Sequence, residues 1–392
     1  MLDTLKSVSR RRAALVIVAA WVSLTPISAP AQGAAPNWER IAQLIVQRIA
    51  PAEGERVLLV GAPGVAEGLI PPLRRALVAA GARDLGVVAV TGAPLPGWST
   101  PFTTEVAASS ATLRTVDVGI MLPGATVGHA AYDAMQQVLR EARGSSARTI
   151  HFHWIGAYSL AGGMIEVTPE RAAVYQRALL ETDYAALAAR QSAFERAMRG
   201  NEVRVTTAAG TDIRFRIGER PVTRQDGDAS AGRARQARNL IDREIELPAG
   251  AIRVAPMEET VSGTIAFPLG DWGGERVEGL VMRFERGRVV SFDARSGREG
   301  VERELQRAGA AGRAFREFAL GLNPLLAIPR DGERWIPYYG YGAGVVRLSL
   351  GDNSELGGAV TGGYVRWNFF TDATVTVGRE VWVRDGVLMR NP

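Results

Sequence analysis

The sequence predicts an α/β protein: an N-terminal α/β domain with a mostly parallel sheet, followed by a β-rich α+β domain. Apolar runs of strand length alternate with helical stretches between residue 38 and about 165, and past Gly200 the pattern changes to short strands interrupted by two amphipathic helices. Alternation of the first kind belongs to βαβ units, whose strands lie parallel with helices on both faces. The expected divisions are 1–31, 32–165, 166–242 and 243–392.

Taken in order, Trp38 to Ala50 sets Ile41, Leu44, Ile45 and Ile49 at helical spacing. The turn Pro51-Ala52-Glu53-Gly54 leads to the buried-strand run Val57-Leu58-Leu59-Val60. A helix from about Val65 to Ala80, strands near Leu85 to Val90 and Val116 to Met121, a helix over Ala130 to Ala142 and a strand at Thr149 to Trp154 complete the domain. Gly61-Ala62-Pro63-Gly64 sits where a nucleotide-binding fold carries its glycine-rich turn, but its spacing to Gly68 does not give G-x-G-x-x-G. It reads as a tight turn.

Thr168 as N-cap and Pro169 at the first helical position start one long helix to about Met198. Val203 to Thr207 and Ile213 to Ile217 flank Ala209-Gly210-Thr211-Asp212 as a hairpin. Glu219 to Arg238 is polar and reads as an exposed loop. Strands follow at Ile252 to Ala255, Gly263 to Phe267, Val277 to Phe284 and Val289 to Phe292, then helices at Glu299 to Arg307 and Gly312 to Ala319. Strands return at Val345 to Leu350, Ala359 to Phe369 and Thr374 to Val383.

The first 31 residues carry a different signal: Lys6 and Arg10 to Arg12, an apolar run from Ala13 to Leu24, then Ala29-Pro30-Ala31. These are the three parts of a signal peptide, and the run is shorter than the roughly 20 residues a membrane span needs. The expectation is cleavage near Ala31, a mature chain starting at Gln32 and a periplasmic or secreted protein whose membrane contact is confined to the signal peptide. Ser9-Arg10-Arg11 leaves both Sec and twin-arginine export open. Cleavage removes four basic residues and Asp3, which lowers the net charge from +5 by 3 to +2. With that balance and no basic stripe spaced by aromatics, no nucleic-acid partner is expected.

Residue types narrow the chemistry further. There is no cysteine, which excludes thiol catalysis, thiolate metal sites and disulfides, and Lys6 is the sole lysine. Carboxylates, arginine, serine, tyrosine and the three histidines His129, His151 and His153 remain. His151-Phe152-His153 puts two imidazoles on one strand face, a spacing able to ligate metal or to form a hydrogen-bonded polar rim. Neither Ser109-Ser110 nor Ser145-Ser146 sits in a nucleophile elbow.

Five motifs occur in one order: Leu247-Pro248-Ala249-Gly250-Ala251, Ala255-Pro256-Met257-Glu258-Glu259, Gly263-Thr264-Ile265, Glu317-Phe318-Ala319-Leu320-Gly321-Leu322-Asn323-Pro324 and Leu350-Gly351-Asp352-Asn353. Their order resembles the thermophilic metallo-aminopeptidases, aminopeptidase T and aminopeptidase S, and the likeness covers most of the mature chain. That resemblance implies zinc or cobalt, a homodimer and aminopeptidase T-like architecture. It also implies metal ligands at the positions of Ala251, Glu317, Arg347, Arg366 and Asn368, with a tyrosine at Ser354. Glu317 alone keeps the family's residue.

A site of this kind needs several lone-pair donors, and Ala251 has none while Arg347 and Arg366 bring fixed cations. The resulting expectation is that Arg347 or Arg366 pairs with Glu317 in place of metal. The protein would then be a metal-site-degenerate homologue with a peptide- or carboxylate-binding or structural role, using Arg347, Arg366 and Asn368. Glu258 and Glu259 are read as capping or turn residues. The alternative is an active metal-dependent aminopeptidase recruiting His151, His153, Glu258 or Glu317, and beyond it an unrelated enzyme working through a carboxylate pair.

Overall fold

The computed structural model describes residues 35–90, 115–126, 128–141 and 145–389; the expected signal peptide and Ser109-Ser110 lie outside them. The chain runs through α1 (Trp38–Ile49), β1 (Arg56–Gly61), α2 (Ile70–Ala79), β2 (Arg83–Ala89), β3 (Val118–Met121), α3 (Ala130–Glu141), β4 (Arg148–Phe152), β5 (Ala157–Ser159) and β6 (Met164–Ile165). Next come α4 (Pro169–Glu181), α5 (Tyr184–Arg199), β7 (Val203–Thr206), β8 (Asp212–Phe215), β9 (Val222–Arg224), α6 (Ala231–Arg235), β10 (Glu244–Leu247), β11 (Ala251–Val254) and β12 (Ser262–Ala266). The remainder is β13 (Gly270–Trp272), β14 (Glu275–Val277), β15 (Val281–Glu285), β16 (Arg288–Asp293), α7 (Arg298–Gly312), β17 (Phe315–Gly321), β18 (Trp335–Ile336), β19 (Val346–Gly351), β20 (Val365–Arg366), β21 (Phe369–Phe370), β22 (Thr374–Val377), β23 (Glu380–Arg384) and β24 (Val387–Leu388). No helix among the described residues is long and apolar enough to cross a membrane.

Three sheets carry the architecture. The first is parallel, in the order β10-β4-β3-β1-β2, as the alternating pattern predicts. Its strands are buried almost throughout, the burial that parallel strands covered on both faces require. A six-stranded antiparallel sheet runs β20-β19-β17-β11-β9 with β21 also on β19. An eight-stranded sheet runs β16-β15-β12-β8-β7-β22-β23-β24. On β7, Val203 and Val205 are buried while Arg204 is exposed, so one face meets the core.

The expected division at residue 243 does not separate the sheets. β10 follows it yet closes the edge of the parallel sheet beside β4, with Glu246 opposite His151. Four residues after β10 the chain enters β11 of the six-stranded sheet. Likewise β9, and β7 with β8, lie in the supposed connecting region but belong to the two antiparallel sheets. Strand pairing, which composition does not reveal, joins these segments.

Other expectations are corrected by local contacts. The long helix from Thr168 breaks after Glu181, where Asp183 accepts from Ala186 N to cap a second helix. The polar stretch 219–238 is largely internal: Gln225 and Thr223 are buried, and Arg233 pairs with Asp226. Val277 to Phe284 is two strands rather than one, and Ala359 to Phe369 is mostly irregular with short strands at its end. The helix expected at Gly312 to Ala319 is instead β17, a strand buried at every residue. Its pairing between β11 and β19 in one sheet overrides the helical spacing.

One buried ion pair ties the N-terminal layer to the rest. The Arg148 guanidinium on β4 meets both Glu55 oxygens, at 2.6 and 2.9 Å, and donates to the carbonyls of Ile49, Ser146 and Ala229. Every donor is used, so the burial cost of the charge is offset. Arg148→Leu should lower unfolding free energy by about 3–5 kcal/mol in urea titration, because Glu55 would remain as an unpaired buried carboxylate.

Candidate functional site

The site forms where the carboxyl ends of β4 and β10 face the inner side of the six-stranded sheet, the position at which open α/β sheets offer a crevice. In that sheet, register sets Arg253 on β11 opposite Ala319 on β17, which is opposite Arg347 on β19. Two residues along β17 on the same face lies Glu317, opposite Ser349. The small side chain of Ala319 leaves room for both arginines to lean towards Glu317. A register shift between Phe315 and Glu317 marks a bulge, which turns Arg316 to the same cluster.

Glu317 is 0% exposed, and its partners are cations. Arg253 Nη2 donates to Oε2 at 2.9 Å, Ser349 Oγ to Oε1 at 3.3 Å, and Arg347 Nε lies 2.8 Å from Oε1 as an ion contact without hydrogen-bond alignment. Arg316 Nε is 3.9 Å from Oε2 and its Nη2 is hydrogen-bonded to Glu355. Burial alone would raise the Glu317 pKa, but Arg253, Arg347 and Arg316 outweigh it and hold the carboxylate well below its usual range. Arg253 is correspondingly raised by Glu317 despite its burial.

The expected pairing with Glu317 is therefore made by Arg347, joined by Arg253 and Arg316, which the sequence reading missed. Arg366 does not take part. Its Nη1 is 2.8 Å from Glu304 Oε1, its Nη2 donates to the Asp271 carbonyl, its Nε donates to Asn368 Oδ1, and its guanidinium stacks 3.4 Å from the Trp272 ring centre. Asn368 in turn donates to the Leu348 carbonyl. Both side chains are thus engaged by protein. The reason is tertiary: α7 brings Glu304 to the last strands.

The remaining candidates are dispersed. Ala251 is packed among aromatic side chains opposite Gly321. Ser354 bonds to Asp352 at an exposed turn. Glu258 is paired with Arg220 and accepts from Asn353 Nδ2 and Ala359 N, fastening the 353–359 turn. His129 accepts from Thr126 N in a loop. His151 is ringed by Tyr132, Thr149 and Gln136, and burial pushes its imidazole down to about 3. His153 stands beside it, ring centres 5.7 Å apart, pushed down to about 4 by burial.

The sequence reading also passed over Glu246. From the edge of the parallel sheet its carboxyl faces Arg253, Arg347 and a hydrogen-bonding Tyr341, and burial raises its pKa against the pull of both arginines. Tyr132, Tyr158, Tyr338 and Tyr339 feel the same carboxyl. A signal was available, since Glu246 directly precedes the first shared motif.

These groups do not suit the divalent metal that the resemblance implies. Both Glu317 oxygens are held by guanidinium groups where a cation would sit. Among the described residues, no group of three or more His, Asp or Glu side chains is placed to hold a metal ion. His151, His153, Glu258 and Glu317 are not brought together.

Comparisons with known proteins agree with this architecture. A family described as thermophilic metalloprotease (M29) matches residues 181–328. AmpT from Thermus thermophilus superposes with a TM-score of 0.57 at 18% identity, over 90% of this chain and 99% of that one. The 2,5-dihydroxypyridine dioxygenase from Pseudomonas putida KT2440 superposes with a TM-score of 0.62 at 15% identity, over 90% of this chain and 96% of that one. None of the curated protein sequences compared matches this chain. The family match and the AmpT-like fold support the resemblance to the aminopeptidase T-like family.

Glu317→Gln should cost about 3–5 kcal/mol at neutral pH, since it strands buried arginines. The folded pKa lies below the usual 4.5, so this stabilisation is complete above that value and is lost as pH falls through the folded pKa. Urea titrations of both proteins from pH 7 to pH 3 should therefore show a difference that narrows below about pH 4.

Proposed function

We propose that this aminopeptidase T-like chain is a non-hydrolytic binding protein in which arginine cations have taken the electrostatic place of the metal, and that it holds a peptide or small carboxylate ligand. The observation that carries the reading is the saturation of Glu317 by Arg253, Arg347 and Ser349. A carboxylate so engaged can neither bridge metal ions nor accept a proton from attacking water. What it can do is fix two arginines at the wall of a crevice, one of which has donors to spare.

A cleft of about 550 Å³ is lined by Tyr158, Trp272, Trp367 and Phe369 among others. Its size lies within the range of small-molecule sites. Arg347 sits 4.7 Å from the centre of the Trp367 ring that lines it.

Metal analysis of purified protein should find zinc, cobalt and manganese far below one per chain, and aminoacyl chromogenic substrates should show no chelator-sensitive hydrolysis. Stoichiometric metal together with hydrolysis abolished by chelation would overturn the reading. We further propose that the chain acts outside the cytoplasm, on the strength of the basic, apolar and small-residue segments before Gln32. N-terminal sequencing of the exported protein should begin at Gln32.

A further inference from the structure

Beside the Glu317 cluster, buried donors face no acceptor. Arg347 is 2% exposed; its Nη1 donates to the Tyr339 carbonyl and its Nε contacts Glu317, but its Nη2 has no hydrogen-bond partner among the described residues. Trp367 Nε1 and His153 Nδ1 are likewise buried without a partner among the described residues. Their side chains are linked by a series of contacts. Arg347 stacks on Trp367, Trp367 meets Tyr339 at 5.5 Å between ring centres, and Tyr339 meets His153 at 6.2 Å. Buried donors are normally satisfied, so such orphans mark a place where an acceptor is missing.

Three arginines, Arg253, Arg316 and Arg347, gather here with Glu317 and Glu355. Glu246 also faces Arg253 and Arg347, and burial raises its pKa against the pull of both. Strain points to the same spot. Tyr338 and Tyr339 are consecutive non-glycine residues with φ of 36° and 54°, and the Tyr339 N–H is held by the Gly156 carbonyl at 2.7 Å. Such conformations persist only where surroundings enforce them, and they gather at ligand sites.

Building on the carboxylate-binding reading above, we propose that the inner end of the cleft binds a monocarboxylate with an apolar or aromatic body, its two oxygens taken by Arg347 Nη2 and Trp367 Nε1. One free guanidinium N–H beside one indole N–H matches the two oxygens of a single carboxylate. The body of the ligand lies among the rings of Tyr158, Trp367 and Phe369. Arg366 and Asn368, whose polar atoms are already engaged, shape the outer wall without reading the acid.

Phenylacetate, with phenylacetamide as its uncharged counterpart, tests this by titration calorimetry on the intact mature protein. Phenylacetate should bind saturably and at least tenfold more tightly than the amide. Arg347→Gln should weaken phenylacetate by tenfold or more, and Trp367→Phe, which keeps the ring and removes the N–H, by several-fold. Should Arg347→Gln fail to fold, Trp367→Phe decides alone. Wild-type affinity in both variants, or equal binding of acid and amide, would overturn the site while leaving carboxylate binding elsewhere intact. No binding of phenylacetate, together with none of a short peptide, would sink both the site and the reading on which it rests.

Discussion

A carboxylate without solvent stays ionised only if cations are fixed around it, and the inner part of this protein is organised by that requirement. Glu317 lies on the central strand of a sheet where all seven residues of β17 are buried. Arg253 and Arg347 come from the two flanking strands, and the bulge in β17 adds Arg316. Removing any one of these charges would leave its partners uncompensated in a poorly polarisable interior. The cluster thus constrains the register of three strands at once.

The same cluster balances the buried carboxylate with cations of the chain itself. In an aminopeptidase T-like site, cations bound from solution would neutralise inward-facing carboxylates. Here guanidinium groups built into the chain supply positive charge around Glu317. Guanidinium suits this exchange because it cannot deprotonate and offers several donors in a plane. One member of the cluster, Arg347, packs on Trp367, which lines an aromatic-walled cleft.

The layers on either side position these arginines. Short travel between β10 and β11 carries the chain from the parallel sheet to the six-stranded one, so Glu246 and Arg253 face each other across the crevice. α7 sends Glu304 to hold Arg366, which keeps that arginine on the outer wall. Two arginines that look equivalent in the sequence therefore differ in what they can do. One is spent on protein contacts; the other retains an unpaired N–H.

Much of the framework was legible before any coordinates. Alternating apolar runs determined the parallel sheet, since buried parallel strands demand continuous apolar sequence. The ordered motifs led to Glu317 and to the substitutions around it. The helix expected over Gly312 to Ala319 failed because a short apolar segment satisfies either period until its neighbours are known. Arg253, Arg316, Glu246 and the fate of Arg366 were decided by tertiary structure. Arg253 and Glu317 stand 64 residues apart, and nothing in local spacing encodes which strands pair or where a bulge falls. The sequence by itself determined which charges the chain carries; the pairing of strands decided which of them are buried and which neutralise one another, because Coulomb energy depends on separation in space and not along the chain.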